Sequence, residues 1–302
     1  MRDVIYVEHR HFVTVKNDSL KFRNLITKEE RYIPFDDVEV LIFANQHCSL
    51  SHTVIQQCLT RNVTLLFCDE RQTPVAQITS DYGHSQRLKR LRSQINATTR
   101  VKDRLWRKIV MAKIVNQGNC LRYIADAEEV GMELRELSKS VTEGDPHNRE
   151  AYAAKRYFYT LFGDGFKRGR YDDPINSGLN YGYALIRALI RKELAVHGFE
   201  VSLGIHHESS ENPYNLSDDL IEAYRPLVDM LVYENIFKVN CADFDTEEKK
   251  ALLNVFFEKC VLDGSVMTIT DAVHKTVESL ISCLEKNSSA KLLLPYFIEE
   301  GQ

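Results

Sequence analysis

Val75-Ala76-Gln77-Ile78-Thr79-Ser80-Asp81-Tyr82-Gly83-His84 is where the hydrophobic period of this sequence changes, and that change decides its fold class. Before it, apolar and β-branched residues alternate at period two, the pattern of half-buried strands. Strands are expected at residues 4–8, 12–16, 19–22, 30–34, 38–43, 63–67 and 75–79, with Asn17-Asp18 turning the second into the third. Residues 51–59 read as one helical crossover among them, with Ser51 as N-cap. After the break the period becomes 3.6. Leu105, Ile109, Ala112 and Val115 mark a helix face, and Leu121, Ile124 and Ala125 resume the signal after Gly118 interrupts it. Ala151, Ala154, Tyr157, Phe158, Leu161 and Phe162 mark the next helix. Residues 177–197 form the longest expected helix, stopped by Gly198, and further helices are expected at 216–234, 246–259 and 270–285. The fold class is therefore α+β in two domains. A small β-rich, sandwich-like domain (1–80) and a linker (81–100) precede a larger all-α domain (101–302).

The composition sets limits on function. With 302 residues, 44% apolar and 27% charged, the chain has the make-up of an ordinary globular protein. No apolar run approaches the roughly 18 residues of a membrane span. The start, MRDVIYVEHRHF, is too charged for a signal peptide, so a cytoplasmic protein is expected. Seven scattered cysteines without a Cys-x-x-Cys pair read as reduced thiols. The net charge of −4 speaks against nucleic acid, but the charge is polarised along the chain. Arg87, Lys89, Arg90, Arg92, Arg100, Lys102, Arg104, Arg107, Lys108 and Lys113 crowd one stretch in which Asp103 is the only acid. No P-loop, no G-x-S-x-G elbow and no His-Glu-x-x-His occurs, which removes NTPase, serine-hydrolase and zincin readings.

Three places in the helical half carry chemistry. Glu150 opens a helix, where a carboxylate complements the macrodipole and needs no further role. Gly204-Ile205-His206-His207-Glu208 is a loop whose imidazoles become ligands only where carboxylates reach them. Asn215-Leu216-Ser217-Asp218-Asp219-Leu220-Ile221-Glu222-Ala223-Tyr224-Arg225-Pro226 reads as a helix start capped by Asn215. On a helix Asp218 and Glu222 lie about 40° apart, and Asp219 and Glu222 about 60°. Three acids thus make one ridge. The first turn accounts for the two aspartates, but Glu222 adds a like charge that asks for a cation. On that reasoning, removing Glu222 relieves repulsion in the metal-free protein. Two carboxylates and an imidazole would suit Mg²⁺ or Mn²⁺ and phosphodiester chemistry.

Asn180-Tyr181-Gly182-Tyr183, then Leu203-Gly204-Ile205-His206-His207, then the acidic segment from Asn215 to Asp229 together resemble the signature of the CRISPR-associated integrase of spacer acquisition, in its type II form. The resemblance spans the whole chain. It implies that Glu150, His207 and Glu222 are the catalytic metal ligands for Mg²⁺ or Mn²⁺, with His207 fifteen positions before Glu222. Asp219, His206 and Arg225 would support them. Ala223-Tyr224 departs from the Pro-Phe common there, with similar shape.

The resemblance further implies a metal-dependent DNA endonuclease and integrase of CRISPR adaptation. It would be a homodimer through the β domain, joined to a small companion adaptation protein in a hetero-hexamer alongside other type II adaptation proteins. The assembly would join prespacer 3′-hydroxyl ends to the CRISPR repeat by transesterification. Arg87, Lys89, Arg90, Arg92, Lys155, Arg168, Arg170 and Arg187 are the expected DNA contacts, though a solvated helix face would be the whole role of about half such residues. Two other readings stand beside this one: a structure-specific repair nuclease, and a non-catalytic DNA-end-binding scaffold.

Overall fold

The computed structural model describes residues 3–78 and 86–298, so the sequence break at 81–84 lies outside the described residues. By internal contacts the chain divides into two compact units, 1–82 and 83–302.

The first unit runs β1 (Asp3–Val7), β2 (His11–Lys16), β3 (Ser19–Asn24), β4 (Glu30–Pro34), β5 (Val38–Phe43), β6 (Ser49–Leu50), α1 (His52–Thr60), β7 (Thr64–Cys68) and β8 (Pro74–Ile78). These strands form two four-stranded sheets, ordered β1-β5-β7-β8 and β4-β3-β2-β6. Val7, Leu41, Phe43 and Leu65 of the first share one core with Val13, Leu20, Phe22 and Ile33 of the second and with Val54 and Cys58 of α1. That is the sandwich-like layering expected. Asn17 and Asp18 both take positive φ (50° and 59°) between paired Lys16 and Ser19, a two-residue loop whose twist matches the strands. The short β6 escaped the alternation, since two residues carry no period. α1 is the crossover that lets β7 lie parallel to β5.

The second unit contains α2 (Arg87–Ile95), α3 (Thr99–Tyr123), α4 (Glu128–Lys139), α5 (Arg149–Phe162), α6 (Pro174–Val196), α7 (Asn215–Ile221), α8 (Arg225–Val232), α9 (Thr246–Leu252), β9 (Lys259–Leu262), β10 (Ser265–Thr268) and α10 (Ile269–Glu285). Several expectations change here. The span 81–100 expected as linker contains α2, whose inward face carries Arg90, paired with Glu285, and Gln94, which donates to the Glu200 carbonyl at 2.9 Å.

Gly118 does not interrupt α3, which is therefore longer than α6. It is the point of closest approach to α4: a Cβ there would lie 2.6 Å from the Gly131 carbonyl oxygen. The unit is not all-α either. Asp263 (φ 52°) and Gly264 (φ 73°) join β9 to β10 with Leu262 opposite Ser265. Asp-Gly between apolar strands is a strong hairpin signal, so this element was present in the sequence as local turn chemistry. The expected helix 246–259 accordingly stops early. The expected helix 216–234 breaks between α7 and α8, where Pro226 has no N–H to continue it.

Candidate active site

The break between α7 and α8 presents Glu222, at the C-terminal end of α7, to the middle of α3. Lys113 lies there, 6% exposed, and its ammonium donates to Glu222 Oε2 and to Glu150 Oε1, each at 2.5 Å. Arg225 Nη2 lies 2.9 Å from the other Glu222 oxygen. Burial pushes the Glu222 carboxyl upward, but Lys113 and Arg225 outweigh it and hold the group below the usual carboxylate range. Burial likewise lowers the Lys113 ammonium, and Glu222 with Glu150 more than reverses that.

Glu150 is freed for this contact by a residue upstream. Asp145 accepts from the Arg149 and Glu150 backbone amides at 2.9 and 3.0 Å, so the amides opening α5 are satisfied by Asp145.

His207 is held from behind. Asp219, wholly buried, accepts through Oδ1 from the His207 amide at 3.0 Å and from His207 Nδ1 at 2.8 Å, and through Oδ2 from the amides of Ile205 and His206. An Nδ1–H donated to a carboxylate leaves Nε2 with the lone pair of the neutral ring, the arrangement typical of a metal-ligating histidine. The same bond, countered in part by burial, raises the His207 pKa above its ordinary value. Gly204 permits the wrap of this loop, since a Cβ there would collide with the His207 carbonyl oxygen and lie 2.9 Å from Asp219 Oδ2. The His206 ring stacks on the buried Trp106, centroids 4.2 Å apart and planes at 1°, with the His207 ring edge-on to the same indole at 5.7 Å.

The acidic ridge thus separates into three differently paired groups. Asp218 pairs with Arg187 at 2.7 Å, Asp219 holds the histidine loop, and Glu222 sits between Lys113 and Arg225. The cation that the crowded ridge asked for is supplied by the protein itself. Asn215 does not cap α7 but bridges the preceding loop, donating to the Ser202 and Ser209 carbonyls at 3.0 and 2.9 Å.

Residues 4–264 match the family described as CRISPR associated protein Cas1. The CRISPR-associated endonuclease Cas1 of Neisseria meningitidis serogroup C is 32% identical over 284 residues, covering 92% of this chain and 92% of its own. The chain belongs to the Cas1 family. Among solved structures, a casposase bound to integration product superposes with a TM-score of 0.78 at 18% identity, over 95% of this chain and 92% of that one. A chain of a Cas6-RT-Cas1–Cas2 complex does so with 0.73 at 17%, over all of this chain and 36% of that one. At these identities the likeness is one of fold.

The basic residues of this Cas1 fold divide sharply. Arg90 is buried against Glu285, and Arg187 pairs with Asp218. Arg168 donates to the Gly169 carbonyl, Asn176 and Asn180 and lies over the Tyr183 ring. These three brace the fold. Arg87, Lys89, Arg92, Lys155 and Arg170 are exposed.

Sequence reasoning missed Lys113 as a site residue, counting it only in the basic run. It also missed the buried Asp229, which accepts from the Tyr183 hydroxyl. Burial pushes Asp229 up to about 6, against the hydrogen bond of Tyr183 and the nearby Tyr157 hydroxyl and arginines. The sign follows from proton binding. Between an unfolded value of 3.8 and a folded value of about 6, the folded state binds the extra proton, so this residue's contribution falls as pH rises through 6. We expect Asp229→Asn to gain stability relative to the parent between pH 5 and pH 8, by about 1 kcal/mol, since most of the loss from the shift falls below pH 5. Urea midpoints across that range check it; a constant difference would show that Asp229 does not titrate there.

Proposed function

We propose that this chain is a metal-dependent DNA endonuclease and integrase of CRISPR adaptation, joining 3′-hydroxyl ends of short DNA to a repeat. The observation that carries the reading is the meeting of Glu150 and Glu222 on one buried ammonium, one turn from the aspartate that orients His207. Glu150, Lys113 and Glu222 come from stretches distant in sequence. The donor set fits a divalent metal, because the two carboxylates already hold one cation and His207 has its Nδ1 committed to Asp219. Glu150, His207 and Glu222 would hold Mg²⁺ or Mn²⁺, which when bound supplies charge stabilisation at a phosphodiester.

The chain's own groups do the rest. Arg225 and Lys113 keep Glu222 ionised, and Asp219 fixes the tautomer of His207. Joining exchanges one phosphodiester for another: the new bond forms from the 3′-oxygen to phosphorus as the bond to the repeat's 3′-oxygen breaks, so no ATP is needed. Exposed Tyr152, Lys155 and Tyr159 line one face of α5, whose first turn carries Glu150. Aromatic and basic groups interleaved in this way suit single-stranded DNA ends, and Arg87, Lys89, Arg92 and Arg170 extend the phosphate path.

The casposase and the Cas1–Cas2 complex support DNA and the small companion protein as partners. We extend this to a homodimer through the β domain within a hetero-hexamer, working with other type II adaptation proteins. No helix among the described residues is long and apolar enough to cross a membrane, in keeping with a cytoplasmic DNA enzyme.

A strand-transfer assay with matched 3′-hydroxyl and 3′-dideoxy ends tests the reading: only the hydroxyl end should join, EDTA should stop it and Mn²⁺ restore it. Equal joining of the dideoxy end would sink the integrase. In the same assay His207→Ala should lose at least about 100-fold, as when a group acting in the transition state is removed, and His206→Ala far less. Equal losses would undo the assignment of His207 as ligand.

A further inference from the structure

A second constellation lies away from the Lys113 site. α6 ends in Glu193 and His197, four residues apart, and α10 carries His274 and Glu278 at the same spacing. Each spacing puts a histidine and a glutamate on one helix face. The two faces meet. His274 Nδ1 is 2.9 Å from Glu193 Oε2, the His197 and His274 rings are 5.3 Å apart, and His274 Nε2 is 3.5 Å from Glu278 Oε1. The potential ligand atoms of Glu193, His197 and His274 all lie within 4.8 Å of one another.

We propose that Glu193, His197 and His274 form a binding site for a borderline divalent metal, Zn²⁺ foremost, separate from the catalytic carboxylates. Two imidazoles and one carboxylate are a nitrogen-rich set that suits Zn²⁺ better than Mg²⁺. Ligands about 2.1 Å from a tetrahedral ion stand about 3.4 Å from each other. Atoms already within 4.8 Å reach that with small side-chain rotations. The outer contacts are in place as well. His197 Nδ1 lies 2.9 Å from the Glu193 carbonyl oxygen, His274 Nδ1 faces Glu193 Oε2 at 2.9 Å and His274 Nε2 faces Glu278 at 3.5 Å, so an ion would replace the His274–Glu193 contact while Glu278 orients the ring from behind. Lys192 pairs with the other Glu193 oxygen, Oε1, at 3.3 Å, leaving Oε2 to the histidines.

The ion would tie the C-terminal end of α6 to α10. That helix also supports the catalytic region, because Thr276 shares a 2.7 Å hydrogen bond with Tyr224, two residues beyond Glu222. The bound ion would be structural, with its fourth position open to water.

Calorimetric titration of the EDTA-treated, dialysed full-length protein with Zn²⁺, with Co²⁺ absorption as a second readout, tests this independently of any DNA activity. Wild type and Glu222→Gln should both bind one Zn²⁺ per chain at this site and show a visible Co²⁺ band. His274→Gln and His197→Gln should each lose at least about tenfold in affinity, together with that band. His274 is half exposed, so its variant should keep the parent far-UV spectrum and melting temperature in EDTA. Unchanged Zn²⁺ affinity and Co²⁺ band in both histidine variants, or no binding by wild type, would overturn the proposal. Loss of binding in Glu222→Gln alone would place the ion at the catalytic carboxylates instead.

Discussion

Glu222→Gln abolishes DNA joining and lowers the melting temperature, two effects with one origin. The loss of joining should reach at least about 10³-fold, or about 4 kcal/mol of transition-state stabilisation. The cost to stability is the more telling part. By like-charge counting on the α7 ridge, removing Glu222 should relieve repulsion. The structure reverses the sign, because Glu222 is buried between Lys113 and Arg225. The neutral amide leaves the buried Lys113 ammonium with Glu150 as its remaining carboxylate. Breaking one partner of a buried pair costs about 3–5 kcal/mol, and each kcal/mol corresponds to about 2–4 °C in a domain of this size. A melting temperature lower by about 6 °C or more in EDTA is expected, with a native far-UV spectrum at 25 °C. A variant that melts higher than the parent would restore the repulsion argument.

Lys113→Met carries the other large effect. Without the ammonium, Glu150 and Glu222 face each other across a low-dielectric gap with Arg225 on the far side of Glu222. The metal-free protein should lose about 3–5 kcal/mol. Added Mn²⁺ then has a site with no resident cation to displace. Binding at one hundred times its dissociation constant returns about 2.7 kcal/mol, so Mn²⁺ should raise the melting temperature of Lys113→Met by more than that of wild type. Thermal melts of both proteins over a Mn²⁺ series give the comparison. Equal shifts in the two would mean that the ion binds away from these carboxylates.

Much of the first unit was legible because its signals are local. Alternation located the strands, and Asn17-Asp18 took the left-handed conformations such residues tolerate. The two sheets could not be told apart, since β1 pairs in parallel with β5 across three intervening strands. In the second unit Gly118 misled for a physical reason. A glycine weakens a helix locally, but here its missing Cβ lets α4 approach, which is a tertiary fact. The hairpin at Asp263-Gly264 was legible as local turn chemistry, with both residues at positive φ between paired strands.

What the residues determined by themselves was an inventory: a helix-opening Glu150, a histidine loop admitted by Gly204, and acids one turn apart ending at Glu222. Period, turn chemistry and side-chain type depend on near neighbours, and a sequence displays near neighbours. Only the tertiary structure decided what neutralises Glu222, because that partner is Lys113, 109 positions away on another helix. It likewise decided that Asp219 orients His207, that Asp145 frees Glu150, and that Arg90, Arg168 and Arg187 brace the fold. Electrostatic interactions act through space at a few ångströms, and the distance along the chain carries no trace of them.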